Sequence, residues 1–417
     1  MQHVLIANRA AIAARAAHTC RGMNLRTTAL SARTDTQKTH VAWADHEIRV
    51  SGHGLPDTYD SAARVLDAVD RSGVDCVYPG YGSLAENADF VAGLEKRGVT
   101  FVGPSAQALR LAGSKAEAAE AARRVGVPVL PHASGHGRDE VLVQVREIGL
   151  PAVLKPEFGY GGQGVRIAHT VADVEQALAA SPAGASWYVE KYLPVNQVVG
   201  ISLAVDPEGT VLPLGERESL LVADGLKLLE ASPVAGVDAP TLTAMRADAT
   251  RIAVEFGLRN VMTVEFIVGP DRYYFLEVNG RLPLAYQMSE SQMDIDLVEL
   301  QLRIARGEPF PADAHPVDRA RHCLEARLFV HPSELGSFPD LGTLSRFEMA
   351  DESGVAFTRT VDPARPVTYE LILAQALATS PSRAAAARLL RKGLEASRVE
   401  GLRCYQQEIL HRLNDEC

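Results

Sequence analysis

TVEFIVGPDRYYFLEVNGRLPLAY, residues 263–286, contains two apolar runs, 264–268 and 273–279, separated by Gly269-Pro270-Asp271. Runs of Val, Ile, Phe and Tyr around a Gly-Pro turn read as a two-stranded hairpin. With the turn centred near Asp271, Glu265 falls opposite or nearly opposite Glu277. Asn279 shares the face of Glu277 because strand side chains alternate. Two carboxylates among apolar neighbours repel and lose hydration unless cations meet them. The all-oxygen set Glu265, Glu277 and Asn279 suits Mg²⁺, with Mn²⁺ as a substitute, because such an ion keeps its other positions for water and phosphate oxygens. Arg281 follows on the same side, where it could hold an anion. A half-exposed antiparallel edge with Glu and Asn turned to water accounts for the same pattern, so the hairpin has to be read with the rest of the chain.

The 417 residues suffice for two or three domains with sizeable cores. A net charge of −10 argues against a sequence-blind nucleic-acid binder, which needs a basic face. Cys20, Cys76, Cys323, Cys404 and Cys417 are odd in number and scattered, without a CxxC pair or a Cys/His cluster. A reducing cytoplasm is the expected location. Arg9 and Arg15 break the apolar start, so neither a signal peptide nor a membrane span is expected there, and no later run is long enough to cross a bilayer.

A strand at 4–7, an alanine-rich helix over about 10–21, and strands at 25–31 and near 76–78 alternate as in a parallel α/β domain closing near Gly113. Pro79-Gly80-Tyr81-Gly82-Ser83-Leu84-Ala85-Glu86-Asn87 is a tight turn at the carboxyl end of a strand, where ligands of such sheets gather, though an ordinary strand-to-helix turn reads the same way. Ser114 is a fitting N-cap for a helix over 114–124. Lys115 opposes that helix's dipole, which is odd unless an anion sits there. Farther on, a strand ends in Lys155 and enters a loop with Gly159, Gly161, Gly162 and Gly164 before the strand 165–167. Glycines let backbone N–H groups approach a polyphosphate and the Lys adds a point charge, so phosphate binding is preferred over a flexible hairpin tip. The segment 187–193 reads as a strand running into a connection, with further strands at 201–205 and 211–214. Lys227, alone beside apolar residues, reads as a snorkelling surface lysine. A helix over 295–307 and a Pro-rich junction at 308–316 precede a last domain, with strands around 323–330 and helices over 382–397 and 405–413.

In this order the chain resembles the biotin carboxylase branch of the ATP-grasp superfamily over nearly its whole length. The likeness rests on IANR at 6–9, PGYGSLAENADF at 79–90, FVGPSAQALRLAGSK at 101–115, VEKYL at 189–193 and LEVNGR at 276–281. It implies an α/β pre-ATP-grasp domain over 1–113 and an ATP-grasp domain over 114–315, with a mobile lid at about 129–205. A carboxylase-type C-terminal domain over 316–417 and a homodimeric assembly complete the expectation. By the same resemblance Lys115 and Lys155 bind ATP phosphates, Glu190, Lys191, Tyr192 and Leu193 hold the adenine, Glu265, Glu277 and Asn279 hold Mg²⁺, and Lys227 and Arg281 face the anion being activated.

The departures point in one direction. Where the family follows its metal-binding Asn and Arg with Gln-Val-Glu-His, this chain has Pro283-Leu284-Ala285-Tyr286, so the position of the bicarbonate base is Ala285. A second family arginine falls at about Ala356, and a nucleotide-side His becomes Gly225. No Ala-Met-Lys-Met segment occurs, so any biotinyl carrier is expected on a separate chain, and biotin itself is not expected as a cofactor. Bicarbonate needs a base on its way to donating CO₂, whereas an organic carboxylate is already ionised at pH 7. The favoured expectation is therefore an ADP-forming ligase that activates a small carboxylate as an acyl phosphate for capture by an amine or other nucleophile. Ala285 and Tyr286 would line its pocket beside Arg281, with no nucleic acid or membrane as partner. The alternatives are a biotin carboxylase or a biotin-independent N-carboxylase using bicarbonate, with Glu290 or a substrate group as base, and a non-catalytic nucleotide-binding homologue.

Overall fold

A computed structural model of the chain describes residues 1–158, 164–182, 184–194, 197–310, 317–332 and 340–417. Its first layer is a parallel sheet of β1 (His3–Ile6), β2 (Arg26–Ala32), β3 (His46–Val50), β4 (Cys76–Tyr78) and β5 (Thr100–Phe101), ordered β3-β2-β1-β4-β5. Helices α1 (Ala10–Gly22), α2 (Ala62–Ser72) and α3 (Ala88–Glu95) lie in the crossings, and α4 (Ala106–Gly113) follows β5. Alanines let α1 lie close to the sheet, and Ala13, Ala16 and Ala17 are all but fully buried beside Val4 and Ile6. The strand order reverses between β1 and β4, which opens a crevice at their carboxyl ends. Asn8 ties that crevice together by donating from Nδ2 to the carbonyls of Pro79 and Tyr81, both at 2.7 Å.

After α5 (Lys115–Arg124) comes a small antiparallel sheet. It contains β6 (His132–His136), β7 (Ala152–Pro156), β8 (Arg166–Ala168) and β9 (Ser186–Lys191), ordered β6-β9-β7-β8 and packed on α6 (Gly137–Ile148) and α7 (Val171–Ala179). It has its own core of Val141, Val145, Leu154, Trp187 and Val189.

The large sheet takes β10 (Gln197–Val205), β11 (Val211–Ala223), β12 (Leu226–Ser232), β13 (Asn260–Val268), β14 (Tyr273–Asn279), β15 (His322–Phe329), β18 (Ala356–Arg359) and β20 (Ile372–Ser380). Short ladders join β16 (Asp340–Gly342) to β19 (Val367–Thr368) and β17 (Arg346–Glu348) to β21 (Arg398–Glu400). Helices α8 (Ala239–Glu255), α9 (Tyr286–Met293), α10 (Leu297–Ala305), α11 (Arg383–Ala396) and α12 (Gln406–Leu413) complete the chain. The order is β14-β13-β10-β11-β12-β15-β20-β18.

Two expectations differ from this layout. Residues 197–205, assigned to the lid by the sequence reading, form β10 and pair along their length with β13 and β11. β15 and β20, expected in a last domain set apart by the junction, extend the same sheet directly from β12. Alternation identifies a strand but not its neighbour, and burial on both faces of β10 decides the latter. No helix among the described residues is long and apolar enough to cross a membrane.

Candidate functional site

The hairpin that opens the sequence reading is β13–β14. Its turn closes through Gly269 N–H donating to the Arg272 carbonyl at 2.9 Å. The register sets Glu265 opposite Glu277 and Thr263 opposite Asn279. Asn279 Nδ2 donates to Glu277 Oε1 at 3.3 Å, and Arg281 Nη2 donates to Asn279 Oδ1 at 2.8 Å. Glu277 is exposed on the edge strand, but Glu265 is only 5% exposed on an interior one. The water-facing edge therefore does not describe Glu265.

Lys227, expected as a surface lysine, reaches Glu265 Oε1 at 2.5 Å. Burial alone would push the Glu265 carboxyl up, and Lys227, with help from Arg217, holds it below its ordinary value instead. A row of charges continues from there across the sheet face. Arg217 donates to Ser202 Oγ at 2.6 Å, to Thr263 Oγ1 at 3.3 Å and to Glu230 at 3.2 Å. Glu230 pairs with Arg327, whose Nε reaches Glu325 at 2.9 Å and whose Nη1 donates to the Lys227 carbonyl at 3.0 Å. Gly200 makes the row possible, since a Cβ there would meet the Arg217 guanidinium at 3.4 Å and Thr263 at 3.1 Å.

A cavity of about 750 Å³ is lined by Lys115, Glu277, Asn279, Glu86, Ser83 and Phe158 among others. Glu86 comes from the turn after β4 and stands 3.6 Å from Arg281 Nε. Burial, with Glu277 and Glu265 nearby, pushes its carboxyl up against the pull of Arg281. The turn was legible as a ligand-side element, but nothing local marked Glu86 as the partner of Arg281. Burial lowers the Lys115 ammonium, Lys155 adds to that shift, and Glu277, Glu157 and Glu190 oppose it. Lys155 pairs with Glu190 at 2.6 Å, and Lys191 Nζ donates to the Gly149 and Leu150 carbonyls. Tyr192 N–H donates to the Pro151 carbonyl at 3.2 Å, and Leu193 packs on Gly269 of the hairpin turn. Lys155 and residues 190–193 are not in the cavity lining, although the charges of Lys155 and Glu190 reach Lys115. Gly159, Gly161 and Gly162 lie outside the described residues. Gly164 has φ +75°, and a Cβ there would meet Pro156 at 2.8 Å, so a side chain is excluded twice over.

Ala285 and Tyr286 do not line the cavity, and neither do Arg281, Lys227 and Glu265. Ala285 is 2% exposed, packed with Met288, Cys323 and Leu377, and Tyr286 is 3% exposed in the core shared by β1, α1 and α10. The start of α9, shortly after β14 ends, turns the chain inward, and burial pushes the Tyr286 hydroxyl up to about 12. Glu290 does not take the vacated place. It pairs with Arg15 at 2.9 Å and accepts from Leu297 N–H at 2.9 Å, and burial pushes its carboxyl up to about 7. Gly225 occupies the β11–β12 turn with φ +77° after Asp224 at +50°, a conformation that favours glycine. Ala356 opens β18 and is exposed.

Glu265, Glu277 and Asn279 fit a hard cation, since they offer only oxygen donors on adjoining positions. Among the described residues no group of three or more His, Cys, Asp or Glu could hold a metal by itself. A two-carboxylate set leaves coordination positions for phosphate and water, as Mg²⁺ favours.

Residues 1–109 match the family described as biotin carboxylase, N-terminal domain, and residues 114–313 match carbamoyl-phosphate synthase L chain, ATP binding domain. The biotin carboxylase of Halalkalibacterium halodurans is 31% identical over 96% of this chain and 91% of its own length. The mitochondrial methylcrotonoyl-CoA carboxylase subunit alpha of Glycine max is 32% identical over 96% of this chain, which spans 57% of that longer protein. The biotin carboxylase domain dimer of the Hydrogenobacter thermophilus 2-oxoglutarate carboxylase, solved with MgADP, ADP and bicarbonate, superposes with a TM-score of 0.90 at 28% identity. That match covers 100% of this chain and 94% of the other.

Proposed function

The chain belongs to the biotin carboxylase family and is an ATP-grasp ligase of carboxylase type, and from that premise we propose that it uses ATP to activate bicarbonate for transfer to an acceptor. The observation that carries this reading is the facing pair Glu265 and Glu277, with Asn279 beside them, between Lys227 and Arg281. That arrangement is the one expected where an anion meets a nucleoside triphosphate. The favoured expectation from sequence was an organic acid, with Tyr286 as its apolar wall. The burial of Tyr286 in the core removes that support and leaves a polar surround of Arg281, Glu86 and Asn279, which suits a small, carbon-poor anion.

In this reading Lys115 and Lys155, with the glycine segment Gly159, Gly161, Gly162 and Gly164, bind the phosphates, and residues 190–193 hold the adenine. Glu265, Glu277 and Asn279 would hold Mg²⁺, and the ion would supply positive charge against the phosphates. Arg281 orients the anion, and Lys227 adds positive charge where negative charge accumulates. Catalysis is then mainly positioning and charge neutralisation of an in-line transfer. The relatives' names, biotin carboxylase among them, also favour biotin as acceptor, against the expectation that biotin is not a cofactor here. The Hydrogenobacter domain is a dimer, which supports a dimer here. The matched segments change over between 109 and 114, which supports a boundary near Gly113.

A second reading, the carboxylate–nucleophile ligase, is favoured by one observation. Position 285 is an alanine in an apolar cluster, and Glu290 is held by Arg15, so neither offers a base. ADP release from MgATP separates the two. Carboxylation requires that release depend on bicarbonate and that labelled carbon reach biotin or a biotinyl carrier. Release that proceeds without bicarbonate, but needs an organic acid whose ¹⁸O enters phosphate, overturns carboxylation in favour of the ligase.

A further inference from the structure

Glu157 stands two residues after Lys155, and neither the sequence reading nor the assignment above gives it a role. It is 8% exposed, and its carboxylate is shared between two parts of the molecule. Oε1 accepts from Ser114 Oγ and from Ala116 N–H, both at 3.1 Å, in the first turn of α5. Oε2 accepts from Ser134 Oγ at 2.8 Å, in β6 of the small sheet. The Glu157 backbone adds two more ties, its N–H donating to the Ser186 carbonyl at 3.0 Å and its carbonyl accepting from Lys115 Nζ at 3.4 Å. A carboxylate at a helix N-terminus satisfies otherwise orphaned N–H groups and is favoured by the helix dipole. Charge-assisted hydrogen bonds of this kind are the strong ones.

Lys155 is carried by the small sheet and Lys115 by α5, and the two ammonium groups are close enough to repel. Glu190 pairs with Lys155 but stands on the same small sheet, so it does not join that sheet to α5, whereas Glu157 is bonded to both. We propose that Glu157 is a positioning residue: it fastens the strand bearing Lys155 to the helix bearing Lys115, so that both lysines address one polyphosphate. This rests on the reading of the two lysines as phosphate-binding. Glu157 touches no nucleotide atom in this account and acts through the two elements that it joins.

The test is equilibrium binding of MgATP and, by competition, of adenosine to the full chain and to Glu157→Ala and Glu157→Gln. Glu157→Ala is expected to raise the MgATP Kd about tenfold while leaving the adenosine Kd within about twofold, because only the polyphosphate needs both lysines. Glu157→Gln, which keeps the shape but not the charge, should fall between the two and decides the matter if the alanine variant does not fold. Unchanged MgATP affinity, or equal losses for MgATP and adenosine, overturns the positioning role alone. A wild-type chain that binds adenosine and MgATP equally well, or neither, overturns the phosphate reading of the lysines and this inference with it.

Discussion

Glu265 and Glu277 face each other but live in different surroundings. Glu277 is exposed and bonded only to Asn279 among the described partners, so its charge contributes little to the fold. Glu277→Gln is expected to lower turnover by about a hundredfold or more and to weaken MgATP binding. Its unfolding free energy should shift by no more than about 0.5 kcal/mol, the range of surface changes. Chemical denaturation beside an ADP-release assay checks both parts, and near-wild-type turnover in saturating Mg²⁺ would refute the metal assignment. Ala285 invites the opposite experiment. If the base had merely been deleted from an otherwise waiting pocket, Ala285→Glu would restore carboxylation. Its side chain instead packs on Met288, Cys323 and Leu377. An unpaired carboxylate there is expected to cost about 3 kcal/mol or more and to add no bicarbonate-dependent turnover. A stable, more active variant would place position 285 at the reacting anion after all.

At the level of elements, Arg217, Glu230, Arg327 and Glu325 bind β11, β12 and β15 through side chains as well as the backbone ladder. Burial raises the cost of charge on Glu230, but Arg327 and Arg217 overcome it and hold the carboxyl down at about 2. A carboxylate depressed in the folded state lends stability that is full above its unfolded value and is lost as pH falls toward the folded one. Glu230 should therefore support the fold at pH 7 and cease to do so between about pH 4.5 and 2. Glu230→Gln is expected to cost about 3–5 kcal/mol at pH 7, because it leaves two buried guanidinium groups short of charge, and much less near pH 2. Urea titrations of both proteins at several pH values measure this, and a pH-independent difference would mean that packing, not charge, sets the cost.

For the whole molecule, the pairing of β12 with β15 matters most. It makes one sheet out of the hairpin that carries Glu265 and the strands that carry Arg327 and Gln375. A core of Leu228, Leu324, Leu373, Leu390 and Ile409 spans the same seam. A chain ending before residue 317 is expected to aggregate, since it would bare the β12 edge together with that apolar surface. In the intact protein the two regions should unfold together, with circular dichroism and hydrogen exchange of β13 and β20 giving one midpoint. Two separated midpoints, or a soluble and folded 1–316 fragment, would show that the seam is not cooperative.

The sequence by itself determined whatever depends on neighbours along the chain. The Gly-Pro turn between two apolar runs brings Glu265 close to Glu277, and a register shift between Glu265 and Phe266, which no local pattern marked, sets the two directly opposite. Ser114 caps α5, accepting from Glu117 N–H, as its residue type at a helix start requires. The start of the first domain's strand–helix alternation was equally legible, whereas α2, α4 and the short HEIRV and TF segments of β3 and β5 were not read. Only the tertiary structure decided the partners. Lys227 meets Glu265 across intervening strands, Arg281 meets Glu86 from another sheet, and β10 leaves the lid for the large sheet. It also decided that Ala285 and Tyr286 turn into the core rather than the cavity. Alternation and caps record the local backbone conformation, whereas which distant charge is met, and which side chain loses its water, depends on how the sheets close on one another.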